Sequence, residues 1–303
     1  MKQENMNLIR FGDGQEASNE FIEHMARLHR GQNMGFSTGF NDIDQATGGL
    51  KKGDFWIISA MSSMGKTALA LEITLNAMKE GAHALFFSME MNVKSLMARA
   101  VANKGKIHLA QLTKDRRFLN PTLEYDAKTP YRNEINEANG RTLIEQIAHT
   151  IEEIKSLNPI FIDDPYLDLM EIKELCERYN SDRQSIDLIV PDYLQLIHSI
   201  DANSREREVA NVSNAFKKMA VSLDCTVLSP VQLNERQQVR ESRVIEQDAN
   251  VHLQIRADQK AFDKEGVKNP EGIVIAKNRD GERSSEPIPL FLKGKYQSFE
   301  LQT

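Results

Sequence analysis

Apolar and polar positions along this chain fall into two periods that take turns. Residues 55–60, Phe-Trp-Ile-Ile-Ser-Ala, are a nearly unbroken apolar run opened by the turn signal Lys52-Gly53-Asp54. That is the pattern of a strand covered on both faces. The next block spreads Leu69, Leu71, Ile73, Leu75 and Met78 among good helix formers and stops at Gly81, a usual residue beyond a helix end. Further strand-like runs follow at 82–88, 159–163, 186–192 and 225–233, with helices expected from about Val93, from about Leu167 and ahead of Cys225. Strand and helix in repeated alternation predict an α/β fold, a mainly parallel twisted sheet with helices on both faces. Runs at 249–257, 272–278, 288–292 and 296–301 have little helix between them and are expected to extend the sheet, partly antiparallel. Lys104 to Arg141 is polar and irregular, an extended connection with one short helix.

Ahead of this pattern, residues 1–17 are polar and are expected to be disordered. Residues 18–34 hold a short amphipathic helix and a connection: Ser18 as cap, Phe21, Ile22, Met25 and Leu28 as one stripe, Gly31 as stop. The main domain is residues 35–303.

Candidate chemistry sits at the first strand-to-helix junction. Ala60-Met61-Ser62-Ser63-Met64-Gly65-Lys66-Thr67 matches the phosphate-loop pattern G-x-x-x-x-G-K-[ST] except for alanine at the first glycine. A strand, loop and helix in this order aim backbone N–H groups and the positive end of a helix dipole at one point, which suits phosphate. Residues Ser62 to Ala68 would line that cradle, with Lys66 along the β- and γ-phosphates and the Thr67 hydroxyl on Mg²⁺. Alanine at 60 is tolerable if its φ stays negative. Asp192, polar at the end of the run 186–192, is the candidate to orient Mg²⁺, and Glu90, after the run 82–88, to hold an attacking water. Taken alone, an aspartate or glutamate after a core strand is as well read as a turn residue.

Composition narrows the class. The 303 residues are 40% hydrophobic and 27% charged with a net charge of −6, as in a soluble globular protein. No apolar run approaches the ~20 residues of a membrane span, and the N-terminus lacks a signal-peptide core. A cytoplasmic protein is expected, with Cys176 and Cys225 as reduced core thiols. The acidic balance argues against a surface coated in nucleic acid but allows a local basic strip.

The loop SAMSSMGKT, the strand end FFSMEM, the strand DLIVPDYLQL and the tail elements QLN, RESRVIEQDA and AKNRDG occur in an order that resembles replicative DNA helicases of the DnaB family. Residues 35–54 also look like the opening segment of their ATPase domain, so the resemblance runs from about Gly35 to Phe299. It implies a RecA-like P-loop ATPase core assembled as a homohexameric ring around single-stranded DNA, with ATP and Mg²⁺ as cofactors. Primase and a helicase loader are further partners in that family, and no membrane is involved. Alanine at the first glycine position is usual there.

Carried over by position, the resemblance makes Lys66 and Thr67 the phosphate-loop pair, Glu90 the catalytic base and Asp192 the magnesium-orienting aspartate. Gln232 becomes the residue that senses the γ-phosphate, and Lys277 and Arg279 the pair that reaches a neighbouring subunit's nucleotide. Without the resemblance, Lys277 and Arg279 read as solvated charges. Arg240, Glu241 and Arg243 fall in a segment thought to face the ring's channel, although Arg243 and Val244 replace the family's Gly-Ser. Arg205 and Arg207 mark a second channel-loop candidate that reads equally as a solvated helix face. Met61 and Ser62 stand where many relatives have Arg-Pro. The family's usual N-terminal domain has no counterpart here, as in an excised ATPase domain or a natural short form of viral or plasmid type. The helix from Ser18 takes the place of the family's linker helix.

The function implied is an ATP-dependent 5′→3′ helicase motor of a bacterial cell or phage-infected host. Two other classes are open: a RecA-like or circadian-clock-type ATPase that binds nucleic acid or protein without unwinding, and a non-enzymatic ring scaffold.

Overall fold

A computed structural model describes residues 14–30, 35–114, 135–136, 141–182, 185–199, 203–233, 243–262, 268–284 and 286–301. The expected strands and helices are in place. β1 (Phe55–Ala60) leads into α3 (Lys66–Lys79), then come β2 (Ala84–Ser88), α4 (Val93–Gly105), β5 (Ile160–Ile162), α7 (Leu169–Asp182), β6 (Leu188–Asp192), α8 (Arg205–Ser222) and β7 (Thr226–Gln232). After α9 (Val244–Asp248), β8 (Val251–Phe262) and β9 (Lys268–Asn278) complete a seven-stranded sheet ordered β5-β2-β6-β7-β1-β8-β9. Every neighbouring pair is parallel except β8 and β9.

β1 lies deep in this sheet, and its side chains divide by the period of two. Trp56, Ile58 and Ala60 join a core with α3 and α4, where Leu69, Ile73 and Leu96 are buried. Phe55 and Ile57 join the opposite core with Ile172 of α7 and Val209, Val212 and Phe216 of α8. Helices on both faces are the reason the run 55–60 carries almost no polar residue. Cys176 and Cys225 are free thiols in the second core, both pushed up to about 12 by burial.

Several elements differ from expectation. β10 (Leu290–Lys293) and β11 (Ser298–Leu301) form an antiparallel hairpin of their own rather than strands of the main sheet, and among the described residues only Ile288, just ahead of β10, bridges antiparallel to Ile273 of β9. That hairpin lies over the first core, with Leu290 and Phe299 buried in it. The region expected as an extended connection with one short helix does contain such a helix, α5 (Leu109–Thr113), and adds a two-residue pairing of β3 (Ile135–Asn136) with β4 (Arg141–Thr142). A further helix, α6 (Leu143–Ser156), opens with a capping box in which Thr142 and Glu145 bond each other's backbone N–H. α1 (Gly14–His29) starts ahead of Ser18 and exposes Phe21, Ile22 and Met25, while the short α2 (Asn41–Thr47) ends at Gly48 in the left-handed conformation. Among the described residues no helix is long and apolar enough to cross a membrane.

Candidate active site

The C-terminal ends of β1, β2, β6 and β7 converge where ligands of open parallel sheets bind. Ala60 is the last residue of β1, fully buried and paired with Gln232 of β7, and its φ is not positive. Alanine therefore fits where the motif has glycine. Gly65 is different: its φ is +88°, and a Cβ there would lie 2.8 Å from Leu292 and 3.2 Å from Phe299. The hairpin presses on the loop at the one glycine it retains. Ser62 and Ser63 are exposed, while Met64 and Ala68 are buried and anchor the loop from below. The Lys66 ammonium donates to the Met61 carbonyl at 3.1 Å.

Thr67 at the start of α3 and Asp192 at the end of β6 meet across the sheet edge. The Thr67 hydroxyl donates to Asp192 Oδ1 at 3.2 Å, and Asp192 Oδ2 is buried without a hydrogen-bond partner. Burial pushes the Asp192 carboxyl up to about 6; nearby Glu90 adds to the rise, and the Thr67 bond, Lys66 and Arg99 oppose it. A buried carboxylate oxygen without a donor beside a hydroxyl fits a hard divalent cation, which would supply the missing positive charge. Lys66 is lowered from its ordinary value by burial, against the pull of Asp192 and Glu90. Glu90 is exposed in the turn after β2; Ser88 is paired with Asp192, and the Met89 N–H donates to the Asp192 carbonyl at 2.9 Å. The loop, both carboxylates and Gln232 are thus gathered on one edge.

Two residues of this neighbourhood escaped the sequence reading. Arg99 of α4 lies close enough to Asp192 and Glu90 for both to favour its charge, although burial lowers it from its ordinary value. Its guanidinium also bonds the Gln297 side chain in the hairpin turn. No local signal separates it from other helix cations. Gln195 is buried in the 3-10 turn Leu194–Leu196, and its position inside the apolar run Tyr-Leu-Gln-Leu-Ile was such a signal.

Lys277 and Arg279 stand apart from the loop. β9 runs antiparallel to β8, so Lys277 is level with His252 and, through it, with Ile57; the Arg279 N–H donates to the Asn250 carbonyl. Arg279 therefore lies beside the start of β1, whereas the loop leaves from its end. Five strand steps of about 3.3 Å and two strand spacings of about 4.8 Å separate them, beyond the reach of an arginine side chain. Arg279 is exposed, and Lys277 donates to the carbonyls of Glu246 and Gln247 at 2.7 Å each. Burial lowers Lys277 first, and Arg279 and Arg283 add to this as like charges.

Of the channel candidates, Arg243 is exposed and sits just ahead of α9, making no side-chain bond to the helix start, and Arg207 is exposed on α8. Arg205 bonds the Glu208 carboxylate and the Gln195 carbonyl. Arg240 and Glu241 lie outside the described residues.

The sequence profile of the DnaB-like helicase C-terminal domain matches residues 35–301, nearly the whole chain. This protein belongs to that family. Curated relatives of this DnaB-like domain include the replicative DNA helicase DnaC of Bacillus subtilis (strain 168), 32% identical over 277 residues, and DnaB of Leifsonia xyli, 29% identical over 293. Those alignments cover 86% and 90% of this chain and 56% and 58% of the relatives, so the chain spans less than two thirds of their length. Among solved structures, one described as an ATPase domain superposes with a TM-score of 0.79 at 26% identity, over 97% of this chain and 100% of that one. A DnaB-like replicative helicase, described with its interactions with primase, gives 0.75 at 25% identity, covering 97% of this chain and 68% of that one. A KaiC-like protein of Pyrococcus horikoshii gives 0.60 at 12% identity over 88% and 98%, a likeness of fold alone.

Proposed function

We propose that this DnaB-like domain is the ATP-hydrolysing motor of a ring-shaped, hexameric replicative helicase that moves 5′→3′ on single-stranded DNA. The observation that carries this reading is the separation of two half-sites. The phosphate loop, Glu90 and Asp192 stand at one edge of the sheet and Arg279 at the other, so one chain holds both halves but cannot join them.

In this reading the backbone of Ser62 to Ala68 cradles the phosphates and Lys66 leaves the Met61 carbonyl for the γ-phosphate. Thr67 and Asp192 hold Mg²⁺, which when bound neutralises charge developing on the phosphoryl group. Glu90, exposed at the mouth, takes the proton of the attacking water, and Gln232 senses the γ-phosphate. Arg279 of the adjacent copy, with Lys277 beside it, stabilises the transferred group; such an arginine is worth about 10³ to 10⁵ in rate. α1 acts as the linker helix, its exposed Phe21, Ile22 and Met25 packing on the adjacent copy. Arg205, Arg207, Arg240, Glu241 and Arg243 belong to the channel segments that meet DNA, and primase and a loader complete the cytoplasmic assembly.

The test is unwinding of a forked duplex together with sizing in ATP and Mg²⁺. Strand separation by a hexamer is expected. DNA-stimulated hydrolysis without strand separation would select a RecA-like or clock-type ATPase instead.

A further inference from the structure

The ladder between β6 and β7 ends early, and a side chain takes over from it. The paired residues are Leu188 with Thr226 and Ile189 with Val227. Beyond them the Ser229 hydroxyl donates to the Pro191 carbonyl at 2.9 Å, and Pro191 itself has no N–H to add a rung. At the far end, Gln195 Oε1 accepts the Gln232 N–H and Gln195 Nε2 donates to the Gln232 carbonyl, both at 3.2 Å. A primary amide offers one acceptor and one donor side by side, and here it replaces the missing neighbouring strand. On its other side Gln232 is held by β1, with Ala60 as its partner and the Leu233 N–H on the Ala60 carbonyl at 2.9 Å. The backbone of Gln232 is therefore clamped between the first residue of the phosphate loop and Gln195.

Gln195 has a second connection. Its carbonyl accepts from the Arg205 guanidinium, which also bonds Glu208. Glu208 takes the Ser199 N–H at 3.1 Å and shares a hydrogen bond with His198 at 2.9 Å. One buried residue thus joins the end of β7 to the first turn of α8 and to the chain leading into it.

We infer that Gln195 is a positioning residue that ties the placement of Gln232 to the first turn of α8, so that nucleotide and polynucleotide binding sense one another through it. This rests on the motor reading above, in which Gln232 faces the γ-phosphate and Arg205 opens a channel segment. A buried amide bonded at both ends passes between made and broken arrangements, and that is the kind of element able to carry coupling.

The experiment measures the affinity of a non-hydrolysable ATP analogue with and without an oligo-dT strand. In the parent the strand is expected to change that affinity, by about 5- to 150-fold for a coupling of ordinary size. Gln195→Leu, similar in bulk but without donor or acceptor, should still bind each ligand alone while the ratio collapses towards one. Gln195→Glu gives the sharper readout. Its carboxylate accepts from the Gln232 N–H but cannot donate to the carbonyl, whereas the protonated acid does both. Measured against the parent at the same pH, coupling should be weak at neutral pH and return as the pH is lowered, while each ligand alone binds as in the parent throughout, a pattern that a general loss of structure would not produce. Parent-like coupling in Gln195→Leu, or coupling in Gln195→Glu that does not respond to pH, overturns the assignment and leaves the motor reading standing. A parent without any linkage between the two ligands overturns both.

Discussion

The Thr67 hydroxyl donates to one oxygen of Asp192 and leaves the other buried without a donor. The ionised form is therefore held at a cost, as its rise to about 6 through burial indicates. Asp192→Asn should remove that cost. In the absence of ligands the variant should be more stable at neutral pH, by up to ~3 kcal/mol for a carboxyl raised from 3.8 to about 6. The same variant should lose the gain in melting temperature that ATP with Mg²⁺ gives the parent. Thermal melting with and without ATP and Mg²⁺ checks both. Equal ligand stabilisation in parent and variant would remove Asp192 from the metal.

Lys66 and Glu90 should separate binding from turnover. Lys66→Ala deletes a charge-assisted contact to phosphate and should weaken nucleotide binding at least tenfold. Glu90→Gln keeps the shape but cannot take a proton, so binding should persist while hydrolysis falls by about 10² or more. Titration with a fluorescent nucleotide, paired with steady-state turnover, distinguishes the two; parent-like hydrolysis in both variants would refute the site.

Mixing tests whether the site is shared. Arg279→Ala and Lys66→Ala are each expected to be inactive alone. Mixed under subunit exchange, an intact Arg279 from the second should face an intact loop of the first, and part of the hydrolysis should return. A mixture that stays inactive while labelled subunits demonstrably exchange would mean that Arg279 does not act across an interface.

His252 provides a pH test away from the nucleotide. Its Nε2 lies 2.6 Å from the Ser59 hydroxyl inside the sheet, and burial lowers it to about 4, with Lys277 adding to the shift. The unfolded chain then binds a proton that the folded one refuses between roughly pH 6.5 and 4. Stability from this residue is full above about 6.5 and is lost as the pH falls towards 4, by about 3 kcal/mol in all. His252→Gln should flatten that part of the melting profile relative to the parent, and identical profiles would show that His252 is not the group responsible.

The central strands were legible because a doubly covered sheet forces unbroken apolar runs, as at 55–60, and because the loop motif names its own neighbours. The hairpin was not, since the alternation at Leu290–Lys293 and Ser298–Leu301 is the same whether a strand joins a large sheet or pairs only with its neighbour. The helix Leu143–Ser156 was legible in principle through Thr142 and Glu145, whose spacing is a helix-start signature. Arg99 and Gln195 act through partners about two hundred and about forty residues away in sequence, Gln297 for one and Gln232 for the other, and no local pattern encodes such meetings.

The antiparallel return of β9 has a consequence for how copies can associate. It carries Arg279 to the edge opposite the phosphate loop, so the two halves of the proposed shared site face away from each other on the same chain. A two-fold pair buries the same patch on both partners and cannot join unlike edges, so association through this site has to be head to tail. An open string of n copies would complete n − 1 sites and leave one unused half at either end, whereas only a closed circle leaves none. Turnover per chain should therefore climb with the length of the string and reach its ceiling at closure.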